Sequence, residues 1–190
     1  MAQPEAKHIT QEQFLTLERE ATEKHEYYKG EIFAMSGASF PHNKIENNVR
    51  LLLGNHLKGG RCEAFGSNLR VHIPENSLYT YPDIFIICDD PIFIDNEFDT
   101  VTNPSVIIEI LSPLTGDYDK GAKFDLYRQI KSLEEYILID STKVHFIHYS
   151  KNEDATWTLS DFKSLDEPFF ISSVQFKVSL SEVYAGIEKI

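Results

Sequence analysis

Two acidic residues stand in strongly apolar surroundings, and their side chains are the ones best suited to chemistry. Asp83 opens the run IFIIC, and Glu109 lies inside the run VIIEIL. Carboxylates are seldom buried unless they are paired or bind a metal ion. If the two runs are neighbouring strands, both carboxylates reach one spot and offer hard oxygen ligands for Mg²⁺ or Mn²⁺, joined by the backbone carbonyl of Ile110. A metal ion there would activate water and stabilise charge on a phosphate oxygen.

Each acid also has a structural explanation. Asp83 follows Pro82, so its carboxylate is placed to cap the end of a strand. Glu109 lies inside a core strand, where a lysine from another element would neutralise it. Both explanations stay open at the level of the sequence, although the apolar residues on either side of Glu109 favour a functional role for that acid.

A lysine follows on the next predicted element. Asp119, Lys123 and Tyr127 recur at steps of four along a predicted helix, Tyr118–Ile130, so they share one face. An ammonium beside a metal site orients or deprotonates water, or stabilises developing phosphate charge. The simpler alternative is an ion pair between Lys123 and Asp119. Tyr127 either packs in the core or donates a hydrogen bond to the site.

The central part of the chain predicts a crossover unit. Three apolar runs are too short for helices and rich in isoleucine and leucine, so we predict strands at Ile84–Cys88, Val106–Leu111 and Tyr136–Asp140. The helix between the second and third strands makes those strands parallel neighbours. Helices are also predicted from Thr10, as N-cap, to Glu20, and over His42–Leu57 and Ser179–Ile187. The order of elements predicts an α/β fold, a mixed sheet with helices on both sides.

Composition limits the classes of protein that the chain fits. A length of 190 residues favours one domain, with residues 1–8 as a loose tail. A net charge of −12 disfavours a protein that coats nucleic acid, although a local basic rim is compatible with it. Cys62 and Cys88 match no zinc spacing, so we predict that one or both are reduced core residues and that the protein is cytoplasmic. No segment has the roughly 20 apolar residues that span a bilayer, so no membrane anchor is expected.

Taken together, these motifs resemble the Uma-two family of restriction-endonuclease-like proteins, of the PD-(D/E)XK superfamily. The resemblance rests on Tyr81-Pro82-Asp83, on Val106–Pro113, on Asp119, Lys123 and Tyr127, and on Ser132–Tyr136, with weaker matches at His25–Tyr28, Gly30-Glu31, Met35–Gly37, His42, Trp157 and Val183-Tyr184. It implies a restriction-endonuclease-like core and a Mg²⁺- or Mn²⁺-dependent enzyme that hydrolyses DNA, with Asp83 and Glu109 as metal ligands. It also implies a homodimer, although the sequence indicates no interface.

The chain departs from the superfamily pattern at one position. The superfamily's lysine stands two residues after the acid, where this chain has Leu111, and Lys123 would have to replace it from the following helix. The resemblance adds two assisting residues: Glu26 near the metal, and His42 as a phosphate contact or proton carrier. Without it, Glu26 is a solvated strand charge and His42 a helix-end histidine. Two alternatives remain open: an inactive nucleic-acid- or protein-binding module on the same core, and a metal-free structural or dimerisation domain.

Overall fold

The computed structural model describes residues 8–113 and 119–188. Most of the predicted tail and Tyr118, the predicted first residue of the central helix, lie outside the described residues. The described helices are α1 (Gln11–Glu20), α2 (Phe40–Leu57), α3 (Ala122–Tyr127) and α4 (Leu180–Val183). The strands are β1 (His25–Tyr28), β2 (Glu31–Ala34), β3 (Glu63–Gly66), β4 (Arg70–Ile73), β5 (Leu78–Thr80), β6 (Ile84–Ile87), β7 (Thr100–Val101), β8 (Val106–Leu111), β9 (Glu135–Asp140), β10 (Phe146–Lys151), β11 (Trp157–Phe162), β12 (Pro168–Ile171) and β13 (Phe176–Ser179).

A six-stranded mixed sheet forms the centre of the fold, in the order β11-β10-β9-β8-β6-β3. β8 and β9 are parallel and aligned from Val106 opposite Glu135 to Leu111 opposite Asp140. β6 lies antiparallel to β8 on the other side, with Ile84 opposite Ile108. The prediction of a parallel pair joined by a crossover is therefore confirmed, and the strand after Asp83 adjoins the strand that contains Glu109.

The two faces of this sheet are covered by different elements, as the almost uninterrupted apolar runs require. On one face, α2 packs its buried residues Ile45, Val49 and Leu53 against the isoleucines of β6 and β8, together with α4 and the β12–β13 hairpin. On the other face, α3 and the turn after it pack against Ile107 and Leu111. Side chains alternate between faces along a strand, so Glu109 shares the face of Ile107 and Leu111 and points toward α3.

A second sheet of five strands, in the order β2-β1-β5-β4-β7, also packs on the α3 side of the central sheet. The sequence did not predict this sheet as a separate layer. α1 covers part of it, through Phe14 stacked on Tyr27 at 5.1 Å between ring centroids. The predicted start of α1 is confirmed, because Thr10 Oγ1 accepts from Gln13 N and Gln13 Oε1 accepts from Thr10 N.

Two helices are shorter than predicted. Within the described residues the predicted helix Tyr118–Ile130 is interrupted at Gly121: Asp119 and Lys120 are helical, and α3 then covers Ala122–Tyr127. It begins after Gly121, whose backbone is not helical, and it ends in a turn that directs Ile130 into the core. The closing helix is the single turn Leu180–Val183, with Ser179 and Glu182 as its capping box. None of the helices in the described residues has the length and apolar character needed to cross a membrane.

The prediction of reduced cysteines is wrong for this structure, in which Cys62 and Cys88 form a disulfide. The two residues are 26 positions apart in the sequence, which hides their proximity. Antiparallel pairing of β3 with β6 sets Glu63 opposite Ile87, so the next positions outward, Cys62 and Cys88, also face each other. The disulfide therefore closes the outer end of the β3–β6 pair.

Candidate active site

A cleft of about 200 Å³ opens where β6 begins, between the loop that follows β2, the first turn of α2 and the end of α3 nearest β8. All the residues proposed from the sequence line it, namely Glu26, His42, Asp83, Glu109, Ile110 and Lys123. Tyr81, Ser112, Asp119 and the loop Met35–Ala38 complete its walls. These six residues come from β1, α2, the start of β6, β8 and α3, and all of them line this one cleft.

Asp83 and Glu109 are joined directly across the β6–β8 pair. The backbone N–H of Asp83 donates to Glu109 Oε2 at 3.2 Å, and the N–H of Ile110 donates to Asp83 Oδ2 at 2.7 Å. These bonds continue the strand pairing one residue beyond its end, so Asp83 does have the strand-capping role suggested by its position after Pro82. The same bonds turn both carboxylates into the cleft.

Lys123 enters the cleft from α3 and is surrounded by acids. Its Nζ lies 2.9 Å from Glu109 Oε1, 3.3 Å from Glu26 Oε1 and 3.7 Å from Asp119 Oδ1. Both structural explanations, the pairing of Glu109 with a lysine and the pairing of Lys123 with Asp119, are therefore present in the cleft itself. Leu111 lies on the same strand face as Glu109 and packs in the core. The ammonium group near Glu109 belongs instead to Lys123 of α3, which packs on that face.

The surroundings shift the ionisation of this pair. Burial raises the pKa of Glu109 to about 7, and the positive charge of Lys123 opposes that rise. Burial alone would lower the pKa of Lys123, but the neighbouring carboxylates, Glu109 first, raise it well above its ordinary value. The 2.9 Å contact therefore sets an ammonium group with a raised pKa against a carboxyl group whose pKa is also raised.

His42, in the first turn of α2, contacts the outer carboxylate. Its Nε2 lies 3.1 Å from Asp83 Oδ2, and its ring is buried. Burial alone would lower the pKa of His42, but the hydrogen bond and charge of Asp83 outweigh burial, so this pKa is raised. Its Nδ1 is buried and has no hydrogen-bond partner in the described part of the chain. The imidazole can therefore hold a proton beside Asp83.

Two hydroxyl groups also join the site: that of Tyr127, whose role the sequence left open, and that of Thr80, which the sequence did not indicate. Tyr127 O–H donates to Glu109 Oε1 at 2.7 Å, and burial raises the pKa of Tyr127 well above its ordinary value, so it stays a donor. The spacing of Tyr127 from Lys123 was the signal for this contact. Thr80 O–H donates to Glu26 through a short hydrogen bond. Nothing in the sequence pattern identified Thr80, because its contact depends on the pairing of β1 with β5.

The donor set fits a hard divalent cation. Two carboxylates and the backbone of Ile110 line the cleft, and oxygen donors are what Mg²⁺ and Mn²⁺ prefer. Oδ1 of Asp83 receives no hydrogen bond from the described residues and so remains available as a ligand. Within residues 8–113 and 119–188, no three His, Cys, Asp or Glu side chains form a ready-made metal cage. Such a site would leave Mg²⁺ several of its waters, which is its usual state in proteins.

Comparison with known proteins adds an independent result. The family model described as "Uma2: Putative restriction endonuclease" matches residues 11–181. The uncharacterized protein slr1290 of Synechocystis sp. is 35% identical over 179 residues, which cover 94% of this chain and 93% of that protein. A second uncharacterized protein of the same organism, sll1609, is 40% identical over 153 residues, covering 80% of this chain and 86% of that protein.

A solved structure matches the fold over almost the full length. It is described as a "putative nuclease belonging to DUF820" from Anabaena variabilis, and it matches with a TM-score of 0.74 and 20% sequence identity. The match covers 93% of this chain and 98% of that one. At this identity the likeness establishes the fold, which is the restriction-endonuclease-like mixed sheet flanked by helices that the sequence predicted.

Proposed function

This chain belongs to the Uma2 family, and on that premise we propose that it is a Mg²⁺- or Mn²⁺-dependent endonuclease that hydrolyses DNA phosphodiester bonds. The observation that supports the proposal most is the convergence of Asp83, Glu109 and Lys123 in one cleft, with Nζ of the lysine 2.9 Å from Glu109. The two carboxylates and the Ile110 carbonyl would hold the cation. When bound, the cation supplies an activated water and stabilises charge on the phosphate.

The residues of the chain have separate roles in this proposal. Lys123 keeps its charge, because three carboxylates surround it, and so it orients the attacking water or stabilises the charge that develops on the phosphate. His42 holds a proton beside Asp83 and can give it to the oxygen of the leaving strand. Glu26 and Tyr127 position Lys123 and Glu109 through the contacts described above. In the reaction, a water oxygen bonds to phosphorus and releases a proton to solvent, while the bond to the leaving oxygen breaks and that oxygen takes the proton of His42.

Plasmid cleavage tests the proposal. Purified protein with Mg²⁺ or Mn²⁺ should nick or cut supercoiled DNA, and EDTA should stop the reaction. Asp83→Asn and Glu109→Gln should each lower the rate by a factor on the order of 100 or more, since each removes charge that acts on the transition state. Asp125→Asn and Glu134→Gln make the same changes at exposed acids and serve as matched controls. Unchanged cleavage by the Asp83 and Glu109 variants would contradict the assignment.

The alternative of an inactive binding module remains specific enough to test, because Leu111 occupies the superfamily's lysine position. Calorimetric titration with Mn²⁺ separates the two. A catalytic site gives saturable heat that Asp83→Asn abolishes, whereas an inactive module gives none. The homodimer and the single domain stay predictions, which light scattering and limited proteolysis of the purified protein test.

A further inference from the structure

We propose that a groove beside α2 binds the sugar–phosphate backbone of duplex DNA on one side of the cleaved bond, an inference that rests on the proposed nuclease function. The α2–β3 groove has a volume of about 810 Å³ and lies between the outer face of α2, the loop after it, and the edge strand β3. Arg50, Lys58 and Arg61 line it, and Glu63 is the single acid among its lining residues.

The segment of residues 44–61, which contains most of α2 and the loop after it, carries a net positive charge, whereas the molecule as a whole is negative. Residues 44–61 contain four bases, Lys44, Arg50, Lys58 and Arg61, and one acid, Glu46, which is a net +3 in a chain of net −12. The rest of the chain therefore has a net charge of −15, which is −12 minus +3. Phosphate contacts dominate protein–DNA affinity, and an acidic protein must concentrate its cations where the backbone passes. The groove lining itself carries Arg50, Lys58 and Arg61 against Glu63, a net charge of +2, and Arg50 also lies 3.5 Å from Glu46.

Arg50 connects the groove to the catalytic cleft. Its guanidinium lies against Gly66 at the end of β3, where an added Cβ would come within 3.1 Å of Arg50 Cζ. Gly66 pairs with Ile84, the residue after Asp83. Paired residues are about 5 Å apart between Cα atoms, and adjacent residues are about 3.8 Å apart. Arg50 therefore marks the end of the groove that lies beside the strand following Asp83.

The dimensions of the groove suit a DNA strand. Lys58 stands eight residues after Arg50 along α2, which corresponds to about 12 Å. One strand carries a phosphate about every 3.4 Å of the duplex axis, so a separation of about 12 Å parallel to that axis corresponds to roughly three to four phosphates. Arg61 also lines the groove, and the disulfide of the next residue, Cys62, joins the loop to Cys88 at the end of β6. Three cations thus line a groove that leads away from the cleft, with Arg50 at the end nearer to it.

Glycines leave the floor of the groove open. Gly54 lies inside α2, where glycine costs about 1 kcal/mol relative to alanine, although an added Cβ would meet nothing within 4 Å. Gly59 is likewise open on this side and adopts φ +78°. No contact within the described residues requires the missing side chain at Gly54. Its absence instead gives a backbone that a ligand can approach closely.

Fluorescence anisotropy with a labelled DNA duplex tests the inference. Binding is measured without metal in the Asp83→Asn background, so that cleavage plays no part. The triple variant Arg50→Gln, Lys58→Gln and Arg61→Gln should bind on the order of 100-fold more weakly at about 0.1 M salt, and the slope of log K against log salt should fall by about 2.7. Lys131→Gln, Lys143→Gln and Lys177→Gln, which make the same charge change outside the groove, should leave the slope unchanged.

A second variant guards against a folding defect in the first. Gly54→Glu places a carboxylate in open space on the groove floor, so it should preserve the fold by circular dichroism and still weaken binding. Wild-type affinity and salt slope in both groove variants would overturn the groove while leaving the nuclease proposal intact. Duplex binding that depends on the groove, together with an absence of metal-dependent cleavage, would support the groove and contradict the nuclease proposal. No duplex binding at low salt would overturn the groove.

Discussion

At the scale of single residues, the cleft is held together by a shared cation, because Lys123 Nζ lies 2.9 Å from Glu109 Oε1 and 3.3 Å from Glu26 Oε1. Asp83 and Glu109 were identifiable because an acid among isoleucines contradicts its surroundings. Lys123 and Tyr127 followed from their spacing on one helix face. Glu26 was harder, because its direction depends on the pairing of β1 with β5, which turns Tyr27 toward α1 and Glu26 toward Thr80. No local pattern specifies such a partner.

Lys123→Met tests the charge balance of the cleft in metal-free protein. The change leaves Glu26, Glu109 and Asp119 without their shared cation, so stability should fall by about 3–5 kcal/mol near pH 8. The pKa of Glu109 is about 7 with the ammonium in place, and it rises when the ammonium is lost. Protonation of Glu109 at lower pH removes one unpaired charge, so the penalty should shrink near pH 5.

Urea denaturation with EDTA at the two pH values measures the effect of Lys123→Met. Lys131→Met is the matched control, since the Lys131 side chain is 91% exposed and its loss should change stability by less than about 0.5 kcal/mol. An equal penalty at both pH values would mean that Glu109 is not the group left unpaired.

At the scale of helices and strands, the sequence predicts those features that depend on residues close together in the chain. The capping box at Thr10, the strand Val106–Leu111 and the parallel crossover all follow from local chemistry and chain handedness. The division into two sheets and the Cys62–Cys88 contact depend on which strands pair over long separations. The predicted central helix is likewise interrupted at Gly121 and ends at Tyr127, and Ile130 lies in the core after the turn that follows.

A buried carboxylate at the start of β9 holds three elements together. Glu135 Oε2 lies 2.6 Å from His148 Nε2 of β10, and its Oε1 accepts from Ser173 N, at 2.7 Å, in the short 3₁₀ turn Ser172–Val174. Burial alone would raise the pKa of Glu135, but these hydrogen bonds outweigh it, so the pKa is lowered. A lowered carboxyl pKa contributes stability above the ordinary value of 4.5, and that contribution is lost as the pH falls below it.

Glu135→Gln should therefore destabilise the protein by about 2 kcal/mol near pH 7, and the difference from wild type should decrease below about pH 4.5. Urea denaturation across this range measures it. Glu134→Gln, the same change at the exposed neighbouring residue, should have little effect at any pH. A difference that stays constant down to acid pH would show that the ionised form of Glu135 contributes nothing.

At the scale of the whole molecule, the candidate site exists only in the folded state. Asp83 and Glu109 are 26 positions apart, and they meet because β6 and β8 are neighbours in the central sheet. A cation that binds both carboxylates must then bind the folded chain and not the unfolded one. By mass action, such a ligand at about 100 times its Kd stabilises the folded state by about 2.7 kcal/mol.

Mn²⁺ should accordingly raise the Tm by about 5–10 °C, since 1 kcal/mol corresponds to roughly 2–4 °C for a chain of this size. Asp83→Asn should show no such rise, because one of the two carboxylates is gone, whereas Asp125→Asn, at an exposed position on α3, should respond like wild type. Differential scanning calorimetry measures the shift, and EDTA should reverse it. Equal rises in wild type and Asp83→Asn would place the cation elsewhere on this acidic surface, and the cleft would lose its role as the metal site.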